Sequence, residues 1–226
     1  MRLGVLFSGG KDSTLALHYA EEKEKVVCLI TLLSENKESY MFHTPNIEIT
    51  ALQAEAIDLP RITKTTRGEK EKELSDLEEA IAQAAKEFQI EGVVTGAVES
   101  VYQAERVQRI CNGLGLWCFN PLWKLDQKTL LEELVQRHFE VVISGVFAYP
   151  LDEKWLGKQI DPPLINKLLD LKQKYSISPS GEGGEIETTV LDAPRFKKKI
   201  EILDYTSTAR GNSGVFKINR ARLVEK

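Results

Sequence analysis

Residues 3–15, LGVLFSGGKDSTL, decide the fold. The apolar run Leu3–Phe7 has the length of a strand and stops at Ser8-Gly9-Gly10-Lys11-Asp12-Ser13. A helical pattern follows at once, with Leu15 over Tyr19 and Ala16 over Ala20 at four-residue spacing. Strand, glycine loop and helix in this order place backbone N–H groups at a helix N-terminus, where the partial positive charge attracts phosphate. Gly9 and Gly10 allow a sharp turn and close approach to a ligand. Ser8 and Ser13 can donate hydroxyl hydrogen bonds, Lys11 adds a full positive charge, and Asp12 can hold a magnesium ion. Strand-on-helix packing alone would account for a glycine pair, but not for SGGKDS.

Outward from this loop, the first half of the chain alternates. Strand candidates are Leu3–Phe7, Val26–Leu33, Arg61–Thr66, Gly92–Thr95 and Val141–Val146. Helical spacing fills Asp12–Lys23, Ile47–Asp58, Lys70–Phe88, Val101–Leu114 and Lys128–Phe139 between them. The strands are continuous apolar runs, as in a parallel sheet covered on both faces. Such alternation implies a doubly wound α/β sheet with right-handed crossovers. Ligands of these sheets bind at the carboxyl ends of the strands, the edge that carries the glycine loop and Gly96. Past a boundary near residue 125 the character changes towards a smaller α+β domain. A helix is expected from Asp161-Pro162-Pro163 to about Tyr175, then strands at Ile186–Leu191, Lys199–Tyr205 and Val215–Val224, with a hairpin turn at Gly211-Asn212-Ser213-Gly214.

Composition excludes some classes. The 226 residues are 42% hydrophobic, ample for a core, and carry a net charge of −4. A broad basic face for nucleic acid is not expected; Lys197-Lys198-Lys199 is the one dense basic cluster and reads as a solvated edge. Cys28, Cys111 and Cys118 contain no CxxC, which argues against a disulfide frame or a zinc site and fits reduced cytosolic thiols. The longest apolar runs are strand-sized, so no membrane span and a cytoplasmic location are expected.

Three further stretches carry chemistry. Met41-Phe42-His43-Thr44-Pro45-Asn46 follows the second strand at the same edge. A histidine there is more often a hydrogen-bonding residue than a catalyst, and His43 and Thr44 fit a nucleotide or substrate pocket. In Val101–Leu114, Ala104, Val107, Cys111 and Leu114 form an apolar stripe, while Tyr102, Arg106 and Arg109 form a second face. This face is either solvated or, through Tyr102, Gln103 and Arg106, turned to the pocket beside Gly96, where arginine could hold a phosphate or carboxylate. Gly181-Glu182-Gly183-Gly184-Glu185 combines close-approach glycines with two carboxylates. These could hold magnesium, a cationic group or ammonium, or take a proton from an attacking amine; the bland alternative is a hairpin loop with solvated acids.

SGGKDS resembles the PP-loop of the N-type ATP pyrophosphatases, in which the loop grips the pyrophosphate part of ATP and cleavage falls between the α- and β-phosphates. The Walker pattern GxxxxGK[ST] and a GxGxxG fingerprint are absent. Beyond the loop, the chain is similar to the diphthine–ammonia ligases. The similarity lies in LFSGGKDSTLAL, MFHTPN, the YQxxR of Tyr102–Arg106, Pro121-Leu122-Trp123, Leu151-Asp152 with Trp155-Leu156-Gly157, and GEGGEIETTVLDAP. It departs from the family's pattern at Ile186, where an aromatic is usual.

The resemblance implies a PP-loop, HUP-like fold, with residues 1–125 as the ATP-binding α/β domain and 126–226 as the α+β substrate domain. ATP would lie on Ser8, Gly9, Gly10, Lys11, Asp12, Ser13 and Gly96, with Mg2+ on Asp12. The carboxylate of diphthine on elongation factor 2 would be activated as an acyl-adenylate, releasing pyrophosphate. Ammonia would then form diphthamide and release AMP. Lys11 and Asp12 would serve the phosphates. Glu182 and Glu185 would attract the quaternary ammonium of diphthine or the incoming ammonia. His43, Thr44, Tyr102, Gln103 and Arg106 would line the substrate site. Arg2 stands where a glutaminase would carry its cysteine, so free ammonia is the expected nitrogen source. A tRNA thiolation or amidation enzyme, a non-catalytic nucleotide-binding module, and a homodimer all stay open.

Overall fold

The computed structural model describes residues 1–36, 45–69 and 73–226. His43 and Thr44 lie outside the described residues, as does the start of the helix expected from Lys70. Strands β1 (Arg2–Leu6), β2 (Lys25–Ser34), β3 (Arg61–Thr66), β4 (Gly92–Val94) and β5 (Trp117–Phe119) form a parallel sheet in the order β3-β2-β1-β4-β5. Between them run α1 (Lys11–Glu21), α2 (Thr50–Ile57), α3 (Glu73–Phe88) and α4 (Val101–Gly113). The helix expected over Ile47–Asp58 enters through a 3-10 turn at Ile47–Ile49. Strand β5, three residues at the edge of the sheet, is an addition to the strands expected.

Helical periodicity decides which face each helix covers. In α3, Leu77, Ala80, Ile81 and Ala84 recur at core spacing and are buried. They pack with Val107, Ile110 and Cys111 of α4 against Cys28, Ile30, Ile62 and Val93, closing one face of the sheet. On the other face Leu3, Val5, Leu29 and Val94 meet Leu15 and Leu17 of α1. That second cluster continues into Leu130, Leu134, Val141, Ile143, Leu164, Val190 and Phe216, so the C-terminal half shares one core with the first sheet.

The C-terminal half holds α5 (Gln127–Gln136), β6 (Glu140–Val146), α6 (Pro162–Tyr175), β7 (Ile186–Asp192), β8 (Lys199–Arg210) and β9 (Ser213–Val224). Its strands form a separate antiparallel sheet in the order β7-β6-β9-β8. This corrects the reading of Val141–Val146 as one more parallel strand. It is buried on both faces and therefore looks parallel, but it sits inside an antiparallel sheet covered by α5 and α6. The lysine run behaves as a solvated edge: Lys197 pairs with Asp58 and Lys198 with Glu225, all largely exposed. No described helix is long and apolar enough to cross a membrane.

A polar seam fixes how the two sheets meet. The Val190 N–H donates to the Gly9 carbonyl at 3.0 Å. The Gln53 amide, wholly buried on α2, donates to the same carbonyl at 2.9 Å and to the Val190 carbonyl at 2.7 Å. Asn46 adds a second clasp, donating to Thr189 Oγ1 and the Phe216 carbonyl and accepting from the Ile218 N–H at 2.8 Å. Gln53→Leu keeps bulk but strands the Val190 carbonyl in the core. It should lower unfolding free energy by about 1–3 kcal/mol, measured by urea titration.

Candidate active site

The glycine loop bridges β1 and α1 as its sequence implies. Helices α4, α5 and α6 begin with side-chain caps from Ser100, Asp126 and Asp161, but α1 begins at Gly10 with none. Its first N–H, on Lys11, donates to Thr188 Oγ1 of β7 at 3.1 Å. Ser13 donates its hydroxyl to the Gly10 carbonyl at 3.2 Å, so in the 3.2 Å Ser8–Ser13 contact Ser8 is the donor. Gly96, two residues past β4, lies against the loop. A Cβ there would come within 2.8 Å of the Ser13 nitrogen and 2.9 Å of the Asp12 carbonyl carbon. Backbone cannot yield as a side chain can, so only glycine fits.

Lys11 is 3% exposed, and its ammonium donates to Asp12 Oδ2 at 2.7 Å. Burial opposes its charge, but Asp12, Glu182 and Glu187 outweigh burial and hold its pKa above the ordinary lysine value. The other Asp12 oxygen, Oδ1, is buried without a hydrogen-bond partner. Two acids of the C-terminal half complete the group, Glu182 in the turn before β7 and Glu187 on β7. Burial first, then the nearby Asp12 charge, pushes Glu182 up to about 7; Lys11 and a hydrogen bond from the Glu99 N–H pull the other way. Burial pushes Glu187 up to about 7 as well, with Lys11 opposing and Asp12 and Glu182 adding. No group of three or more His, Cys, Asp or Glu side chains among the described residues is spaced to hold a metal ion unaided.

The structure sorts the expected site residues. It brings Ser8, Gly9, Gly10, Lys11, Asp12, Ser13, Gly96 and Glu182 together. Glu185 shapes its own loop: Oε1 accepts from the Ser178 N–H at 3.0 Å and Oε2 from the Gly183 N–H at 2.9 Å. Tyr102, Gln103 and Arg106 are half-buried on α4, the first two about one turn and Arg106 about two turns past Glu99. The Arg106 guanidinium stacks 3.4 Å from the Tyr102 ring centroid and donates to the Tyr102 carbonyl. Gln53, Thr188 and Glu187 went unnoticed in the sequence. Glu187 had a signal, as the third acid of GEGGEIE, but its direction depends on how β7 pairs. In the β6–β7 ladder Ile143 opposes Thr188 and Gly145 opposes Glu187, with a bulge at Ser144 between them. Bulges re-aim side chains in this way beside active sites.

Residues 1–118 match the family model described as the diphthamide synthase N-terminal domain, and 126–224 match the diphthamide synthase C-terminal domain. The chain belongs to the diphthamide synthase family. It is 34% identical to a Bos taurus protein named diphthine--ammonia ligase, over 96% of this chain and 88% of that protein. Relatives of the same name are 36% identical in Rattus norvegicus, over 89% of this chain and 83% of theirs, and 35% in Homo sapiens, over 88% and 82%. A solved structure titled as a predicted tRNA methyltransferase subunit from Methanocaldococcus jannaschii is similar at 18% identity and a TM-score of 0.42, covering 86% of this chain and 98% of that one. That likeness is too distant to bear on fold or activity.

Glu182 and Glu187 bind protons more tightly in the folded protein, near pH 7, than at the ordinary carboxylate value of 4.5. Their contribution to stability is complete below about 4.5 and is lost as pH rises through about 7. Urea titrations of the nucleotide-free protein should show stability falling across this window. Replacing both by Gln should flatten the slope there and leave the protein more stable at pH 8.

Proposed function

We propose that this protein is an ATP-dependent carbon–nitrogen ligase that amidates diphthine on elongation factor 2 with ammonia, releasing AMP and pyrophosphate. The observation that carries the reading is the meeting of two chemistries. A Lys11–Asp12 pair, its ammonium buried, at a helix N-terminus whose own N-cap residue supplies no side chain faces two proton-binding glutamates from the other half of the chain. The first suits a triphosphate, the second an amine or a cation. The names of the relatives supply the substrate. We assign residues 1–125 to the nucleotide and 126–226 to the acyl substrate, a division that the two family matches support.

Lys11 and the N–H groups of the first turn of α1 beyond the one that Thr188 takes stabilise negative charge as pyrophosphate leaves. The free Asp12 Oδ1 fits Mg2+, which keeps most of its shell as water and phosphate oxygens and needs only one or two protein carboxylates. When bound, the metal supplies charge neutralisation between phosphates. The diphthine carboxylate attacks the α-phosphorus, and the bond to pyrophosphate breaks. Ammonia then adds to the acyl carbon and the bond to AMP breaks. The nitrogen must shed a proton, and Glu182, with a pKa near 7, is placed to accept it. Glu185 serves this scheme by closing the loop that carries Glu182. Of the two neighbouring cysteines, Cys111 is fully buried and its thiol is pushed up by a hydrogen bond with Cys118 and by burial, while the same hydrogen bond lowers the half-buried Cys118.

Adding ATP, ammonium and diphthine-bearing elongation factor 2 should yield AMP and pyrophosphate; ADP and phosphate as main products would overturn the reading. Lys11→Ala removes a charge-assisted contact worth roughly 1.5–3 kcal/mol. It should slow adenylation by about ten- to a hundredfold while the fold persists. The rate of pyrophosphate release, read beside the far-UV spectrum, checks both halves of this expectation.

A further inference from the structure

Among the three acids of Glu182–Glu187, the described residues donate hydrogen bonds to two. Glu182 accepts from the Glu99 N–H, and Glu185 from Ser178 and Gly183. Glu187 is held only by burial and by the charges of Lys11, Asp12 and Glu182. Its neighbour on the sheet surface is aromatic. A Cβ on Gly145 would meet the Phe147 ring at 2.6 and 2.9 Å and the Glu187 Cβ at 3.2 Å. The ring and the base of the glutamate thus share one small space, which exists because residue 145 has no side chain. Phe147 is nonetheless 39% exposed, so the ring is not there to fill the core. Its backbone N–H donates to the Glu185 carbonyl at 2.9 Å and fixes the ring beside the acidic loop. From Ser176 to Leu191 the chain has three glutamates and no lysine or arginine.

We infer that Phe147 and Glu187, seated together over Gly145, form the subsite for the trimethylammonium group of the substrate, and so select a quaternary ammonium beside the carboxylate to be amidated. The inference rests on the diphthine reading above. A quaternary ammonium has no N–H to donate, so groups already committed to hydrogen bonds gain nothing special from it. It seeks an aromatic face within about 6 Å and an anion that lacks donors of its own. Phe147 offers the face, and Glu187, which no described donor reaches, offers a carboxyl whose ionised form a bound cation favours. Ammonia, neutral and small, needs a hydrogen-bond acceptor and has no use for the ring.

The test uses purified full-length protein, diphthine-bearing elongation factor 2, and tetramethylammonium as a probe. Phe147→Leu keeps apolar bulk and removes the π face. It should raise the KM for the diphthine-bearing protein by roughly two- to thirtyfold, leaving the KM values for ATP and ammonium in place. Phe147→Tyr should restore the KM. Tetramethylammonium should compete with the diphthine-bearing protein on the wild type and lose that competition on Phe147→Leu. Gly145→Ala should act in the same direction by displacing the ring. An unchanged KM in Phe147→Leu, or a parallel rise in the KM for ATP, would overturn the subsite while the ligase reading stands. A wild-type protein that releases no AMP with diphthine-bearing substrate and ammonium would remove both.

Discussion

The Gly9 carbonyl is the point on which the structure turns. It accepts from the Val190 N–H and from the buried Gln53 amide, and so welds the glycine loop to the edge of a sheet built from the other half of the chain. A glycine loop held only by its own strand and helix could present a phosphate site, but would not fix where the second substrate lies. Here Thr188 and Glu187 lie two and three residues before Val190 on the same strand. Thr188 takes the first N–H of α1, and Glu187 shares the field of Lys11. The register of one antiparallel strand therefore sets the distance between the two chemistries. The apolar core continues across this join, so burial and the polar seam favour the same packing.

The second constraint is electrostatic. One buried ammonium lies among three carboxylates. If all three were ionised, the group would carry excess negative charge in a poorly solvated place, which is costly. The protein relieves this by proton binding. Lys11 holds its proton more tightly than an ordinary lysine, and Glu182 and Glu187 keep theirs up to about pH 7. The same property that destabilises the fold at higher pH leaves two acids poised at the pH where a general base works best.

Much of this was legible in the sequence, and the rest was hidden for physical reasons. Continuous apolar runs gave β1 and β2, and 3.6-residue spacing gave α3, because burial on a sheet leaves a periodic trace. The loop from Ser8 to Ser13 was legible because few other roles call for that combination of residues. Val141–Val146 misled because burial on both faces produces the same apolar run in parallel and antiparallel strands. Glu185 and Glu187 show the sharper limit. Both are acids in one motif, two residues apart, and composition treats them alike. What separates them is a bulge at Ser144 and a turn that folds Glu185 back onto Ser178 and Gly183. Neither leaves a mark in residue types. Gln53 was unreadable for a related reason: a lone glutamine on a short helix becomes a clasp only once the other half of the chain has docked.

Charge also suggests an order to the proposed reaction. A triphosphate approaching Lys11 with both glutamates ionised would meet strong repulsion; with both protonated it meets a near-neutral wall and one lysine. Nucleotide arrival raises the proton affinity of Glu182 and Glu187 further, since a new anion nearby favours their neutral forms. A quaternary ammonium at Phe147 has the opposite effect and favours ionised Glu187. The proton so released leaves Glu187 anionic beside the cation and adds to the pressure on Glu182 to stay neutral. Loss of pyrophosphate then removes the largest negative charge in the site. At that stage Glu182 gives up its proton more readily and can accept another from the attacking nitrogen. The shared field of Lys11, Asp12 and the two glutamates thus favours the base once the adenylate exists.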